Sequence, residues 1–389
     1  MSGLQAALPR EMYVDEEAWA TERERVLWSS WACVGRTDDL GLDSRGRLAV
    51  VDVAGESVIV TRDDDGLHAA YNVCRHRGSQ LVPRWPGSDP VCSAAGSLRC
   101  PYHSWTYSLG GRLLKAPHTD GLDVDPDDFS LHPVGVEEWA GYVFVHLTPS
   151  DAEPFADGVE KAAVNLANYH MGSLVTGRVL TYDVGANWKV IAENYNECYH
   201  CGPVHPELSR LVPSFAGGGS DLDWEHGIPH REGAWTFTMT GTSNRDPLPG
   251  LSETEKVRHK GELVYPNLMV SCSADHVAAF TLRPLAVDRT GIECRLLFHP
   301  SEVEKASFDP SDAGDFWDLV NRQDWAICES VQRGMSSRAY THGWFAPMED
   351  DSADIRRWLL PRLGSSVDDM GPSVDDMARS VELVETTDE

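Results

Sequence analysis

The sequence predicts an α+β chain: an N-terminal helix, an inserted run of short strands, and a large antiparallel sheet packed against helices. Three observations predict it. Residues 13–31 space Trp19, Val26, Leu27 and Trp31 among Glu and Arg as an amphipathic helix does. From Trp31 to about Val145 the chain is short and β-rich, with Gly, Asp and Pro between the pieces. Beyond Pro154, helical stretches at 157–169, 188–199 and 312–333 alternate with strand-like ones at 174–184, 235–240, 263–272, 276–284 and 292–299. The expected layout is a helical segment over 1–30 packing on the larger domain, a β domain over 31–150 and that larger domain over 151–360. An acidic, flexible tail over 361–389 completes it.

Each element has a local reason. Segments 48–53, 57–61 and 142–147 are rich in Val, Ile, Tyr and Phe, residues that fit a pleated half-buried surface. Asp63 to Gly66 reads as a turn, and Gly110-Gly111 as a hairpin corner. Pro149 to Pro154 marks the domain boundary. Residues 215–233, rich in Gly, Asp and His, read as a loop beside the active site. In 312–333 Ser311 is placed to cap, and Phe316, Trp317, Val320, Ile327 and Val331 form an apolar stripe. The tail repeats Gly-x-Ser-Val-Asp-Asp-Met at 364–370 and 371–377, too polar to pack.

Length and composition bound the function. A chain of 389 residues, 41% hydrophobic with 13 Trp, suffices for two packed cores. The net charge of -28 excludes nucleic acid and anionic membrane as partners, since both need Lys/Arg surfaces. No run of 18 apolar residues occurs, and residues 1–19 carry four acids without an apolar signal core. A soluble cytoplasmic protein is expected. Nine cysteines, an odd number in a long chain, fit reduced thiols and metal ligands better than a disulfide scaffold.

The chemistry concentrates in Glu193-Asn-Tyr-Asn-Glu197-Cys-Tyr-His200-Cys-Gly-Pro-Val-His205. The pattern reads as a helix until Gly202-Pro203 breaks it, with Glu197 and His200 on one face. On an unbroken helix His200 and His205 would point about 140° apart; the break lets both imidazoles reach one ion. Two histidines and a carboxylate form the facial set that leaves positions open on non-haem iron. Histidines that merely hydrogen-bond to acids are the plainer reading of the motif alone. The third ligand is sought in the helix 312–333, where Asp324 lies beside the apolar stripe and needs a cationic partner. Glu329 is the reserve. Cys198 and Cys201 read as packed thiols rather than a redox pair, and Glu193 as a carboxylate behind the ligands or a cap.

Upstream, Cys74-Arg-His76 and Cys100-Pro-Tyr-His103 form two matched Cys/His pairs beside turn residues. They suit tetrahedral zinc, or a two-iron cluster with thiolates on one iron and imidazoles on the other. The tight Cys-x-His spacing and short β context favour the cluster.

Together, Asn72-Val-Cys-Arg-His-Arg-Gly78, Arg99-Cys-Pro-Tyr-His-Ser-Trp-Thr-Tyr-Ser-Leu-Gly110 and Glu193-x3-Glu197-x2-His200-x4-His205 resemble the large subunits of Rieske non-haem iron oxygenases, over roughly residues 10–360. The resemblance implies a helix-grip catalytic domain, a [2Fe-2S] cluster on Cys74, His76, Cys100 and His103, and mononuclear Fe(II) on His200, His205 and Asp324. It also implies that Glu197 bridges the iron site to the cluster ligand His103 of a neighbouring subunit in a homotrimer without a β subunit. Two departures are visible: 23 residues separate His76 from Cys100, with an insertion at 84–98, and Ser104 stands where Gly is common.

The run 193–206 with 321–334 resembles the glycine betaine, proline betaine, choline and carnitine oxygenases. This implies O2-dependent hydroxylation of an N-methyl carbon with loss of formaldehyde. Electrons would come from NADH or NADPH through a separate flavin/iron-sulfur reductase, since no nucleotide fingerprint is present in this chain. Trp235, Phe237, Tyr265, Phe280 and Trp325 are candidates for an aromatic cage around the cation. Hydroxylation of an aromatic or natural-product substrate is the alternative. An electron-transfer Rieske protein and a zinc-stabilised binding module are the non-oxygenase readings.

Overall fold

The computed structural model describes residues 4–83, 96–219 and 222–366; residues 84–95 of the expected insertion and the tail beyond 366 lie outside them. The chain divides into two compact units, Leu27–Glu160 and Met1–Val26 with Lys161–Glu389.

The first unit is built on a six-stranded antiparallel sheet in the order Ala32–Arg36, Tyr142–His146, Pro133–Trp139, Leu67–Tyr71, Glu56–Arg62, Leu48–Val53. Alternation along its strands makes two cores. Val51, Val53, Val58 and Val60 pack on one side with Val143 and Val145. Leu48, Ile59 and Ala70 pack on the other with Leu98, Trp105 and Tyr107. A second, three-stranded sheet, Ser97–Arg99, Thr106–Ser108 and Leu113–Lys115, turns at Gly110-Gly111 as expected. The expected turn at Asp63 to Gly66 also forms.

The second unit carries another six-stranded antiparallel sheet, in the order Val175–Val184, Arg289–Phe298, Val277–Ala286, Leu268–Cys272, Arg258–Val264, Ile228–Pro229. Trp188–Tyr195 and the long helix Ser311–Met335 pack with it, and Asp350–Leu363 lies against the former. The N-terminal strand Gln5–Pro9 pairs with His342–Phe345.

Several expected elements take other forms. The N-terminal helix is interrupted at Asp15, whose extended backbone lets its carboxylate cap Glu17 and Ala18, and helical structure ends at Leu27 rather than 31. Residues 263–272 are a hairpin turning at Tyr265-Pro266, not one strand. Residues 235–240 are a loop, because the Thr238 and Thr240 hydroxyls both donate to the Thr242 carbonyl just beyond it and Trp235 N–H donates to the Gly241 carbonyl. Residues 97–98, expected in the insertion, belong to a strand. Ser311 is the first helical residue; it does not cap with its side chain, and its own N–H is taken by Asp309. Ile327 and Val331 lie toward solvent, while Phe316, Trp317 and Val320 are buried with Trp325 and Cys328.

Candidate active site

In the β unit two turns present the paired Cys and His. After Leu67–Tyr71 the chain folds back through Gly78 N–H to the Cys74 carbonyl, and Cys74 N–H to Ser79. After Ser97–Arg99 the same device recurs, with Cys100 N–H bonded to Trp105 and Ser104 N–H to Cys100. Ser104 has φ +64°, in the left-handed region, which explains why glycine suits that position. Its hydroxyl accepts from Arg99 at 2.8 Å.

Cys74 and Cys100 are each 2% exposed, whereas His76 is exposed and lies 4.6 Å, ring to ring, from His103. Tyr107 Oη approaches Cys74 Sγ at 3.3 Å, and burial raises the Cys74 pKa. Thiols lie inside and imidazoles outside, as a two-iron cluster requires. Tetrahedral zinc would draw all four donors around one point. Among the described residues the group of three or more donors that closes within 4.8 Å is a different one, His200, His205 and Asp324.

That second group is assembled by three elements of the other unit. The helix Trp188–Tyr195 is capped by the Asn187 side chain on Lys189 N–H. It ends at Tyr195, before Glu197 and not at Gly202-Pro203. The Glu197 carboxylate takes the N–H groups of Tyr199 and His200, closing a turn that competes with further helix. Pro203 then falls in the first turn of a short helix, Cys201–Val204, where a missing N–H costs nothing. His205 sits between this helix and Pro206–Leu211, and Asp324 comes from the middle of Ser311–Met335.

Both imidazoles turn Nε2 toward Asp324: His205 Nε2 lies 2.8 Å and His200 Nε2 3.3 Å from Asp324 Oδ1. Their Nδ1 atoms are held from behind. His205 Nδ1 donates to Gln323 Oε1 at 2.9 Å, and His200 Nδ1 contacts Glu197 Oε1. Outer acceptors of this kind fix ring orientation and make Nε2 the ligating nitrogen. Burial works to lower the His200 pKa, but Asp324 and Glu197 outweigh it and raise it to about 11. Burial works to raise Asp324, and the two imidazoles hold it below the ordinary carboxylate value. The pocket therefore favours positive charge, and two Nε2 atoms with one carboxylate oxygen fit a facially bound iron(II).

The other expected site residues fall around this core. Glu329 accepts Gly185 N–H and pairs with Arg333, so the reserve carboxylate stays outside the three-donor group. Glu193 is buried against the Tyr13 hydroxyl, at 2.6 Å. Cys198 and Cys201 are buried and contact one another; the neighbouring thiol and burial push Cys201 far up. Of the five cage candidates, Phe237 and Phe280 meet through Trp317, at 5.4 and 5.8 Å from its ring. Tyr265 instead stacks on Trp358, and Trp325 meets Tyr182. Sequence reasoning missed Trp317 as a partner of these rings and Gln323 as the His205 partner. The first reads in sequence only as part of the apolar stripe; the second is identifiable only once His205 is placed.

Two buried thiols with two outward imidazoles, together with a 2-His-1-carboxylate centre, define a Rieske non-haem iron oxygenase. Comparison with known proteins places the chain further: residues 171–365 match the ring hydroxylating alpha subunit catalytic domain, and residues 30–126 the Rieske [2Fe-2S] domain. The chain belongs to this family of oxygenase large subunits. It is 31% identical over 370 residues to the glycine betaine monooxygenase oxygenase subunit of Chromohalobacter salexigens, covering 87% of this chain and 81% of that one. It is 30% identical over 338 residues to the carnitine monooxygenase oxygenase subunit of Escherichia coli, covering 86% and 85%. The structure of a quaternary ammonium Rieske monooxygenase, CntA, with substrate gamma-butyrobetaine superposes with a TM-score of 0.70 at 26% identity, covering 92% of this chain and 96% of that one. The protein is thus an oxygen-dependent oxygenase carrying a Rieske cluster domain and a mononuclear iron triad. Among the described residues no helix is long and apolar enough to cross a membrane.

Proposed function

We propose that this oxygenase hydroxylates an N-methyl carbon of a small quaternary-ammonium compound, releasing formaldehyde and leaving the tertiary amine. The observation that carries the reading is the grouping of the Trp317, Phe237 and Phe280 rings along the helix face that also bears Asp324. Trp317 precedes Asp324 by seven residues, so the two share a face about 10 Å apart along the axis. An aromatic wall suits a desolvated trimethylammonium group. Relatives named for glycine betaine, carnitine and choline support the same class.

In this reading Cys74, His76, Cys100 and His103 hold the 2Fe-2S cluster, and His200, His205 and Asp324 hold Fe(II). When bound, these groups store electrons and activate O2. One oxygen atom enters the C–H bond, and the other leaves as water after two electrons and two protons are supplied. The protein's own part is positional. Gln323 and Glu197 keep the two imidazoles aimed, and Asp324 would supply the carboxylate oxygen to the bound iron. Glu197, bonded to His200, serves the passage of electrons from the cluster ligand His103 of a neighbouring copy. A homotrimer without a β subunit and a flavin/iron-sulfur reductase drawing on NADH or NADPH complete the system. In one solved quaternary ammonium Rieske monooxygenase, electron transfer is likewise inter-subunit.

The test is oxygen uptake and formaldehyde release with a compatible reductase over a panel of quaternary-ammonium compounds and aromatic acids. Uptake coupled to formaldehyde for one quaternary-ammonium compound supports the reading. A ring-hydroxylated product, with no quaternary-ammonium turnover, overturns it.

A further inference from the structure

Three histidines, His230, His259 and His276, are buried together behind Phe237, and they differ in how fully their ring nitrogens are used. His276 is saturated: Nε2 accepts Trp317 Nε1–H at 2.8 Å, and Nδ1 donates to Asp275 at 2.8 Å. Asp275 is itself saturated by Ser243, Arg245 and Thr236 besides His276. His259 Nδ1 has no hydrogen-bond partner among the described residues. His230 has none at either nitrogen. Yet His259 and His230 are only 5% and 9% exposed. A buried polar atom left unpaired costs ~1–3 kcal/mol, so such a pair calls for an occupant.

The pair is linked through one ring to the helix that carries Asp324. Phe237 contacts both imidazoles, at 4.9 Å for His230 and 4.7 Å for His259, and contacts Trp317 at 5.4 Å. The wall then runs through Phe280 to Tyr195, two residues before Glu197. Nearby, Gly261 leaves its Cα bare: a Cβ there would lie 3.3 Å from Tyr195 Oη, 3.6 Å from Trp224 and 3.7 Å from His259 Nε2. A methyl group near the triad, a chain of four bonds and one hydrogen bond together span on the order of 10 Å. Trp317, which Phe237 contacts, lies about 10 Å along the helix from Asp324.

The chemistry of the occupant follows from charge and hydrogen-bond type. Burial lowers His230 to about 4, and burial with the neighbouring His230 lowers His259 to about 3, so both are neutral at physiological pH. The charges that act on them are Asp275, His276 and each other; no Lys or Arg is among them. A carboxylate would therefore meet two neutral imidazoles and no cation acting on them. A hydroxyl matches instead, because it can accept the N–H of one neutral imidazole and donate to the unprotonated nitrogen of the other. Resting on the quaternary-ammonium reading above, we infer that His230 and His259 bind a hydroxyl group of the substrate, and so select hydroxylated quaternary-ammonium compounds over deoxy and short carboxylate ones.

The test is anaerobic calorimetric titration of the holoenzyme with choline, with propyltrimethylammonium (the same shape, methyl for hydroxyl) and with glycine betaine, together with kcat/KM for each. Wild type should bind choline ~10-fold or more tightly than the deoxy analogue. His230→Phe should collapse that ratio toward unity by weakening choline alone, and His230→Gln, which keeps a donor and an acceptor, should restore part of it. Equal binding of choline and propyltrimethylammonium by wild type overturns the inference without any variant, as does tighter binding of glycine betaine than of choline. If the ratio survives in a folded His230→Phe protein, the pair is structural and the inference also fails. If none of the three binds while an aromatic acid turns over, the quaternary-ammonium reading itself falls, and this inference with it.

Discussion

Replacing Gln323 by Leu tests how the iron ligands are aimed. His205 is 1% exposed, and its Nδ1–H has Gln323 Oε1 as acceptor at 2.9 Å. Leucine keeps the volume and removes the acceptor, leaving a buried donor unpaired at a cost of ~1–3 kcal/mol. With about 1.4 kcal/mol per factor of ten, iron(II) should bind ~5–150-fold more weakly, in line with the roughly 10–100-fold typical when such outer partners are lost. Gln323 is itself steadied by donating to Glu207 at 3.2 Å, from a carboxylate 21% exposed. Glu207→Gln should therefore weaken iron by no more than ~3-fold. The assay is anaerobic competition against a chromophoric iron(II) chelator, with the visible absorbance of the cluster as internal reference. Iron affinity in Gln323→Leu within ~2-fold of wild type would refute the argument that this bond orients His205. So would a parallel loss of cluster absorbance, which would point to global damage.

Other outcomes follow from the same geometry. Glu197→Gln should keep both metal centres loaded yet slow product-coupled reoxidation of the cluster by ~10–100-fold in single turnover; an unchanged rate contradicts its proposed role. Burial raises Glu193 to about 7, against the opposing pulls of Tyr13, Lys189 and Arg356. A folded pKa above the unfolded one means stability is full below the unfolded value, near 4.5, and is lost as pH rises through about 7. The thermal advantage of Glu193→Gln over wild type should grow across that window and then level; a difference independent of pH argues against it. Lys189 pairs with Glu22 at 2.6 Å with both side chains buried, and Trp188 donates to the same carboxylate. Lys189→Met should destabilise by about 3–5 kcal/mol in a urea titration, because it strands Glu22; a loss under ~1 kcal/mol would show that the pair contributes little.

Ligand identity is legible in the chain because metal ligands are set by residue type and short spacing. Asp324 can be placed because its helix is long and its stripe marked by Phe316, Trp317 and Val320. What is not legible depends on side chains competing for backbone groups. Glu197 ends its helix by taking the N–H groups of Tyr199 and His200, so the break precedes Gly202-Pro203. The Thr238 and Thr240 hydroxyls likewise turn a strand-like hexapeptide into a loop. Long-range partners are the second class of omission. Gln323 behind His205, Tyr13 on Glu193 and the His230–Phe237–His259 contacts join residues that share no sequence spacing.

Everything rests on two separate metal centres in one chain, and metal and sulfide counting on Asp324→Ala tests that most directly. Wild type should carry roughly three irons and two acid-labile sulfides per chain, and the variant roughly two irons and two sulfides, with its visible cluster spectrum intact. Zinc in place of the cluster, or sulfide lost together with iron in Asp324→Ala, would contradict the account.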